Sequence, residues 1–137
     1  KVFTMLQSVG LRDYMITNPI KVKDDANLLT TMKIIIDNKV SGVCVVDENK
    51  ALVGMLSEMD CLAAILKSTY NNVGVGLVSE YMTKDNIIVA HPGEDILNVA
   101  EDMLLKKHRR RPVVEDGKLV GQVSCRQLLA AVDKFNK

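Results

Sequence analysis

Few side chains in this sequence could do chemistry, and their spacing is what can be read first. Ser57-Glu58-Met59-Asp60 sets a carboxylate three residues after a hydroxyl, and Ser124-Cys125-Arg126-Gln127 repeats the hydroxyl with an amide in the acid's place. Taken alone, each spacing reads as a helix start, with serine capping the first turn and an acid favoured by the helix dipole. Lys106-Lys107-His108-Arg109-Arg110-Arg111 is the densest charge in the chain. By position it is a solvated helix C-terminus, where cations complement the dipole. A nucleic-acid reading of the run finds no matching basic stripe and no interleaved aromatics. His91 and His108 are the only histidines, too few for a His-based zinc site, and no cysteines are arranged around them. Cys44, Cys61 and Cys125 show no CxxC spacing and cannot all pair within one chain. Each is expected to be a small buried hydrophobe in a reducing compartment. There is no Gly-rich phosphate loop, no Ser/His/Asp order and no pair of acids in a credible cleft. Asp24-Asp25 and Glu101-Asp102 read as loop and exposed-helix charges. No catalytic residue and no metal site is therefore assigned.

The elements that must position these groups come from a short chain. The 137 residues suffice for one compact domain or two very small ones. With 18 basic and 17 acidic residues the net charge is +1, which argues against coating nucleic acid or an anionic membrane. Hydrophobic residues make up 47% of the chain, but aromatics only 4%, with no Trp. The core must be aliphatic, with methionines filling gaps, and few rings remain to stack bases. No stretch approaches the roughly 18–20 apolar residues of a membrane span, and no basic-then-apolar leader is visible. The chain starts at Lys1 rather than Met, which leaves room for a leader or a further domain ahead of it.

The sequence repeats itself. Tyr14-Met15 recurs as Tyr81-Met82, Leu52-Val53-Gly54 as Leu119-Val120-Gly121, and Ser57 as Ser124, each 67 residues on. Ile20 and Val22 align at the same offset with Ile87 and Val89, while Val45-Val46 recurs as Val113-Val114 at 68. So many landmarks in one order indicate a duplication.

Each copy predicts a β-α-β-β-α unit. A short strand (Ile20-Lys21-Val22, or Ile87-Ile88-Val89) precedes a helix started by Asn27 or Asp95. The helix faces are marked by Leu28, Leu29, Met32, Ile35 and Ile36, and by Ile96, Leu97, Ala100, Met103 and Leu104. Strands at Val43 to Val46 and Pro112 to Val114 turn at Asp47-Glu48-Asn49 and Glu115-Asp116-Gly117 into strands at Leu52 to Leu56 and Leu119 to Val123. A last helix follows Ser57 or Ser124. The polar stretch Ser68 to Gly76 supplies the linker, so the copies run over residues 9–68 and 77–135 with a linker at 69–76. A copy of this size is marginal alone. The two are expected to bury their sheet faces against each other as one α/β (α+β) module with pseudo-twofold symmetry and equivalent clefts. Exposed helix faces would favour a homodimer.

With these motifs in order, the chain resembles a tandem pair of cystathionine-β-synthase (CBS) domains, a Bateman module, over about residues 9–135. The matching pieces include Tyr14-Met15-Ile16-Thr17 and Tyr81-Met82-Thr83, Val43 to Asp47 and Arg111 to Glu115, and Leu52 to Asp60 with Leu119 to Gln127. The resemblance implies a regulatory module holding AMP, ADP, ATP or S-adenosylmethionine between the repeats. It implies that Ser57 lies near phosphate and that Asp60 takes the ribose, since one carboxylate can accept from both hydroxyls. It implies that Val40, Ser41 and Gly42 lay backbone against adenine, with Thr17 and Ile20 on the flank. It implies that Arg109 and Arg110 reach phosphate, for which the planar guanidinium fork is suited. Gln127 in place of the acid implies one competent site and a second that is weak, empty or different in preference. The function expected is adenine-nucleotide sensing, cytoplasmic and non-enzymatic, read by an unknown protein or effector partner. The alternatives are a dimerisation or interaction scaffold with no ligand, and an S-adenosylmethionine-binding module.

Overall fold

The computed structural model describes residues 10–135, so Val9, the expected first residue of the first copy, lies outside the described residues. The chain divides into two compact units, one spanning Ile20–Ile87 and the other joining the segment that ends at Pro19 to the chain from Ile88 onward.

The first unit carries β1 (Lys21–Lys23), α1 (Leu28–Asn38), β2 (Gly42–Val46), β3 (Leu52–Ser57) and α2 (Glu58–Asn71). β1 runs parallel to β2, and β2 runs antiparallel to β3. Asn27 starts α1 as expected, its side chain accepting from the N–H groups of Leu29 and Thr30 at 2.8 and 3.4 Å. The buried stripe of α1 is Leu28, Thr31 and Ile35, while Leu29 and Ile36, expected to share its face, are exposed. The apolar positions on α1 are thus more numerous than its own sheet can cover. α2 runs to Asn71, so Ser68–Asn71 are helical and the connecting stretch shortens to Asn72–Gly76. Ser68 is buried, and Asn72 ends the helix in the left-handed conformation, which Asn tolerates.

The second unit carries α3 (Ile96–Lys106), β4 (Arg110–Glu115), β5 (Lys118–Ser124) and α4 (Cys125–Phe135). Asp95 caps α3 through the N–H groups of Leu97 and Asn98 at 2.7 and 3.4 Å. Asp116 and Gly117, both at positive φ, form the two-residue turn between β4 and β5. The same register irregularity falls at Val45/Val46 and at Val113/Val114, so the duplication extends to backbone detail.

The strand expected at Ile87-Ile88-Val89 does not form. In its place is one parallel bridge, Ala90 to Val113. Val22 pairs with Val45 in the first unit, so Ala90 rather than Val89 is its counterpart. Two prolines explain the loss. Ala90 donates to Pro112 O and accepts from Val114 N–H. The next bonds on either side would need N–H groups from Pro112 and Pro92, which have none. The first unit has no such block, and Asp24 N–H reaches Val46 O at 3.0 Å. In the second unit the Val114 carbonyl is satisfied by the His91 ring instead, Nδ1 to O at 2.9 Å. A carbonyl only accepts, so His91 Nδ1 carries the proton.

Each unit takes its leading segment from beyond its own strand-helix block. Gly54 and Gly121 hold the key. A Cβ on Gly54 would lie 2.5 Å from Met82 Sδ, and one on Gly121 2.6 Å from Ile16 O and 2.9 Å from Met15 Sδ. Two backbone pairings lock the arrangement, Met55 with Thr83 and Ile16 with Gln122. Tyr14-Met15 therefore packs on the second copy's strands, and Tyr81-Met82 on the first copy's.

Candidate functional site

Six of the nine expected ligand residues belong to the unit Ile20–Ile87: Ile20, Val40, Ser41, Gly42, Ser57 and Asp60. Register brings four of them to one end of its sheet. Gly42 is the Cα partner of Ser57, and Glu58 N–H, at the start of α2, donates to Ser41 O at 2.8 Å. Ile20 directly precedes β1, whose first residue pairs with Cys44, and it packs against the unit's core. Gly42 matters first to the sheet: an added Cβ would lie 2.9 Å from Leu56 O.

Ser57 and Asp60 form a reciprocal capping box. Asp60 N–H donates to Ser57 Oγ at 3.0 Å, and Ser57 N–H to Asp60 Oδ2 at 2.9 Å. Both residues are half-buried. The box uses Oδ2 and leaves Oδ1 outside it. Its neighbour Cys61 is buried, which pushes that thiol's pKa up, and the Asp60 charge adds to the effect.

The second copy builds the same box from an amide. Gln127 N–H donates to Ser124 Oγ at 3.3 Å, and Ser124 N–H donates to Gln127 Oε1 at 2.9 Å. What remains at Gln127 is the NH2, a donor, where Asp60 has an acceptor. Arg110 pairs with Ser124 as Gly42 does with Ser57, and Arg109 O accepts from Cys125 N–H as Ser41 O does from Glu58 N–H. Arg109 and Arg110 are thus the counterparts of Ser41 and Gly42. Thr17, Arg109 and Arg110 all belong to this second unit. Thr17 and Arg109 are exposed, and Arg110 is half-buried.

The last residue of the basic run departs from the solvated reading. Arg111 is only 3% exposed. Its NH1 meets Asp102 Oδ2 at 2.8 Å, and its NH2 meets His108 Nδ1 at 3.2 Å. Lys106 Nζ also reaches Asp102 Oδ2, at 3.0 Å. Asp102 is therefore half-buried and doubly paired, not the exposed helix charge expected. The hydrogen bond from Lys106, and after it that from Arg111, holds its carboxyl below the ordinary carboxylate range against the opposing effect of desolvation. The available signal was the continuous apolar run that follows it, since Arg111 adjoins Pro112, Val113 and Val114 in β4 and all four are buried. Cys125 also departs from expectation. It is half-buried, and its Sγ donates to His108 O at 3.6 Å, while Cys44 and Cys61 are buried.

The CBS domain profile matches residues 11–67 and 78–134. The chain belongs to the CBS domain family. As a CBS pair it is similar to the solved structure of CBSX2 in complex with AMP, with a TM-score of 0.82 and 27% identity, covering 95% of this chain and all of that one. It is also similar to the CBS domain pair of MJ0100 in complex with 5′-methylthioadenosine and S-adenosyl-L-methionine, with a TM-score of 0.73 and 25% identity over 94% and 98% of the two chains. Inosine-5′-monophosphate dehydrogenase of Aquifex aeolicus is 37% identical over 117 residues, which is 84% of this CBS pair and 23% of that enzyme. This chain spans less than two fifths of the length of the curated relatives it matches first. Among the described residues no helix is long and apolar enough to cross a membrane.

Proposed function

We propose that this CBS pair is a regulatory module that binds an adenine nucleotide, AMP, ADP or ATP, with Asp60 taking the ribose. The observation that carries the reading is the division of the Asp60 carboxylate. Oδ2 closes the helix cap on Ser57, the register partner of Gly42 at the end of the sheet, and Oδ1 lies outside that cap as a further acceptor. A charged acceptor is the stronger partner for a ribose hydroxyl. Gln127 offers an amide donor at the matching place, so the two sites are unequal. Val40, Ser41 and Gly42 supply backbone for the base, Thr17 and Ile20 flank it, Ser57 lies near phosphate, and Arg109 and Arg110 carry the phosphate. The AMP of CBSX2 and the adenosyl ligands of MJ0100 support an adenosine ligand, and the two arginines favour a phosphorylated one. Regulation follows only if the ligand binds one state of the protein more tightly than another.

Calorimetric titration of nucleotide-stripped protein with AMP, ADP, ATP and S-adenosylmethionine tests the reading. Saturable binding near one site per chain is expected. Asp60→Asn keeps an amide oxygen for the cap, as Gln127 does in the second copy, but removes the charge. The variant should keep its melting temperature and lose roughly tenfold or more in affinity, the worth of a hydrogen bond to a charged group. Flat titrations for all four ligands would sink the reading. They would leave the scaffold, which a specific surface favours. α1 and α2 enclose an apolar groove of about 730 Å³ lined by Met32, Ile36, Leu62 and Ile65, and Met59, Leu62 and Tyr70 on α2 are 77%, 61% and 82% exposed. A homodimer would cover such a face.

A further inference from the structure

We infer that the buried Arg111–Asp102 pair is a positioning device for the two arginines that precede it in the chain. The inference rests on the proposed role of Arg109 and Arg110 in phosphate binding.

A guanidinium buried to 3% exposure is costly unless its charge and donors are met. Here it is met unevenly. Asp102 on α3 takes NH1, His108 takes NH2, and Nε has no hydrogen-bond partner among the described residues. An arginine only donates, so His108 Nδ1 is the acceptor and is unprotonated in this contact. A leucine at this place in β4 would satisfy the core without any of these demands. What the arginine adds is a tie from β4 to α3 and to His108, across the segment that carries Arg109 and Arg110.

The rest of that segment is tied as well. Lys107 leaves α3 in the left-handed conformation at φ 59°, with its N–H on Met103 O and Leu104 O. His108 N–H reaches Met103 O at 2.9 Å. From α4, Cys125 holds Arg109 O through its N–H at 2.9 Å and His108 O through its thiol at 3.6 Å. These bonds fix backbone from α3 and from α4. Arg111 adds a side-chain tie from β4 to α3, through a charged pair at 2.8 Å. With the segment held at both ends, Arg109 and Arg110 lose less freedom when they close on an anion, and that preorganisation appears as affinity.

The test separates phosphate from the rest of the ligand. Titrate wild type and Arg111→Leu with AMP and with adenosine, which lacks phosphate. The Leu variant removes the buried charge and leaves Asp102 its bond to Lys106, so the fold is expected to persist. AMP affinity should fall roughly tenfold while adenosine affinity stays constant, and Arg111→Lys, which can still reach a carboxylate, should recover part of the loss. If Arg111→Leu does not fold, the same ratio measured on Asp102→Asn decides, because it keeps Arg111 but takes the charge from the pair, and a fall in AMP affinity against adenosine affinity is again expected. An unchanged ratio of AMP to adenosine affinity overturns the positioning role while leaving the ligand site intact. If wild type binds neither molecule, the ligand site itself fails and this role falls with it.

Discussion

Asp102 shows how one residue can be misplaced by its neighbours in sequence. Beside Glu101 on a predicted helix it reads as a surface charge, yet it accepts from both Lys106 and Arg111. Lys106 lies four residues away on the same helix, where charge pairs are routine, whereas Arg111 arrives from the strand that follows that helix. Because these bonds lower its pKa, the sign of its pH effect follows. A carboxylate whose folded pKa is depressed contributes stability that is present above its unfolded pKa and is lost as pH falls through the folded value. Wild type should therefore be more stable than Asp102→Asn at neutral pH, and the gap should narrow as pH falls below the ordinary Asp value of about 4. Thermal melts of both proteins on a descending pH series measure it. A gap that stays constant to the acid limit would show that the pair contributes no pH-linked stability. Ser57 and Ser124 were legible as caps from spacing alone, with Asp60 as a first-turn acid and Gln127 in its place; the reciprocal bonds from Asp60 and Gln127 were not. Which Asp60 oxygen closes the cap, and which is left over, depends on side-chain geometry that spacing does not carry.

At the scale of elements, periodicity and caps in the sequence located the four α-helices and four of the six expected strands closely, but not the short 3-10 turns at Leu11–Asp13 and Val78–Glu80. The short strand at β1 formed, shifted by one residue to Lys21–Lys23. Its counterpart failed although Ile87-Ile88-Val89 has the better composition for a strand. Donor supply decided against composition, since Pro92 and Pro112 flank the one surviving bridge. The His91 contact to Val114 O then stands in for a missing backbone donor. A double-mutant cycle checks this substitution. His91→Ala alone should cost about 0.5–1.5 kcal/mol, the net worth of one hydrogen bond. In a Pro92→Ala background, where residue 92 regains its N–H, His91→Ala should cost less. Equal costs in the two backgrounds would show that ring and backbone do not serve the same carbonyl.

For the whole molecule, the sequence repeat and the packing unit are different objects. The repeat occupies 11–67 and 78–134, but the unit Ile20–Ile87 includes Val78, which is fully buried, and Tyr81 and Met82, which pack on its core. A fragment of residues 20–87 should therefore fold better than one of residues 9–76, which ends before those side chains. Circular dichroism melts and amide chemical-shift dispersion of the two fragments would show it, and equal behaviour would refute the exchange as a source of stability. Small size makes both marginal, so the comparison between fragments is the informative quantity. The sequence by itself determined the duplication, the order of elements, the caps at Asn27, Asp95, Ser57 and Ser124, and the asymmetry between Asp60 and Gln127, because these are local patterns or repeated ones. Only the tertiary structure decided which copy each Tyr-Met segment packs on, that Arg111 is buried against Asp102, and that one strand is reduced to a bridge. Those outcomes depend on contacts between residues far apart in the chain, on backbone approach at Gly54 and Gly121, and on a donor count across strands, none of which has a period along the sequence.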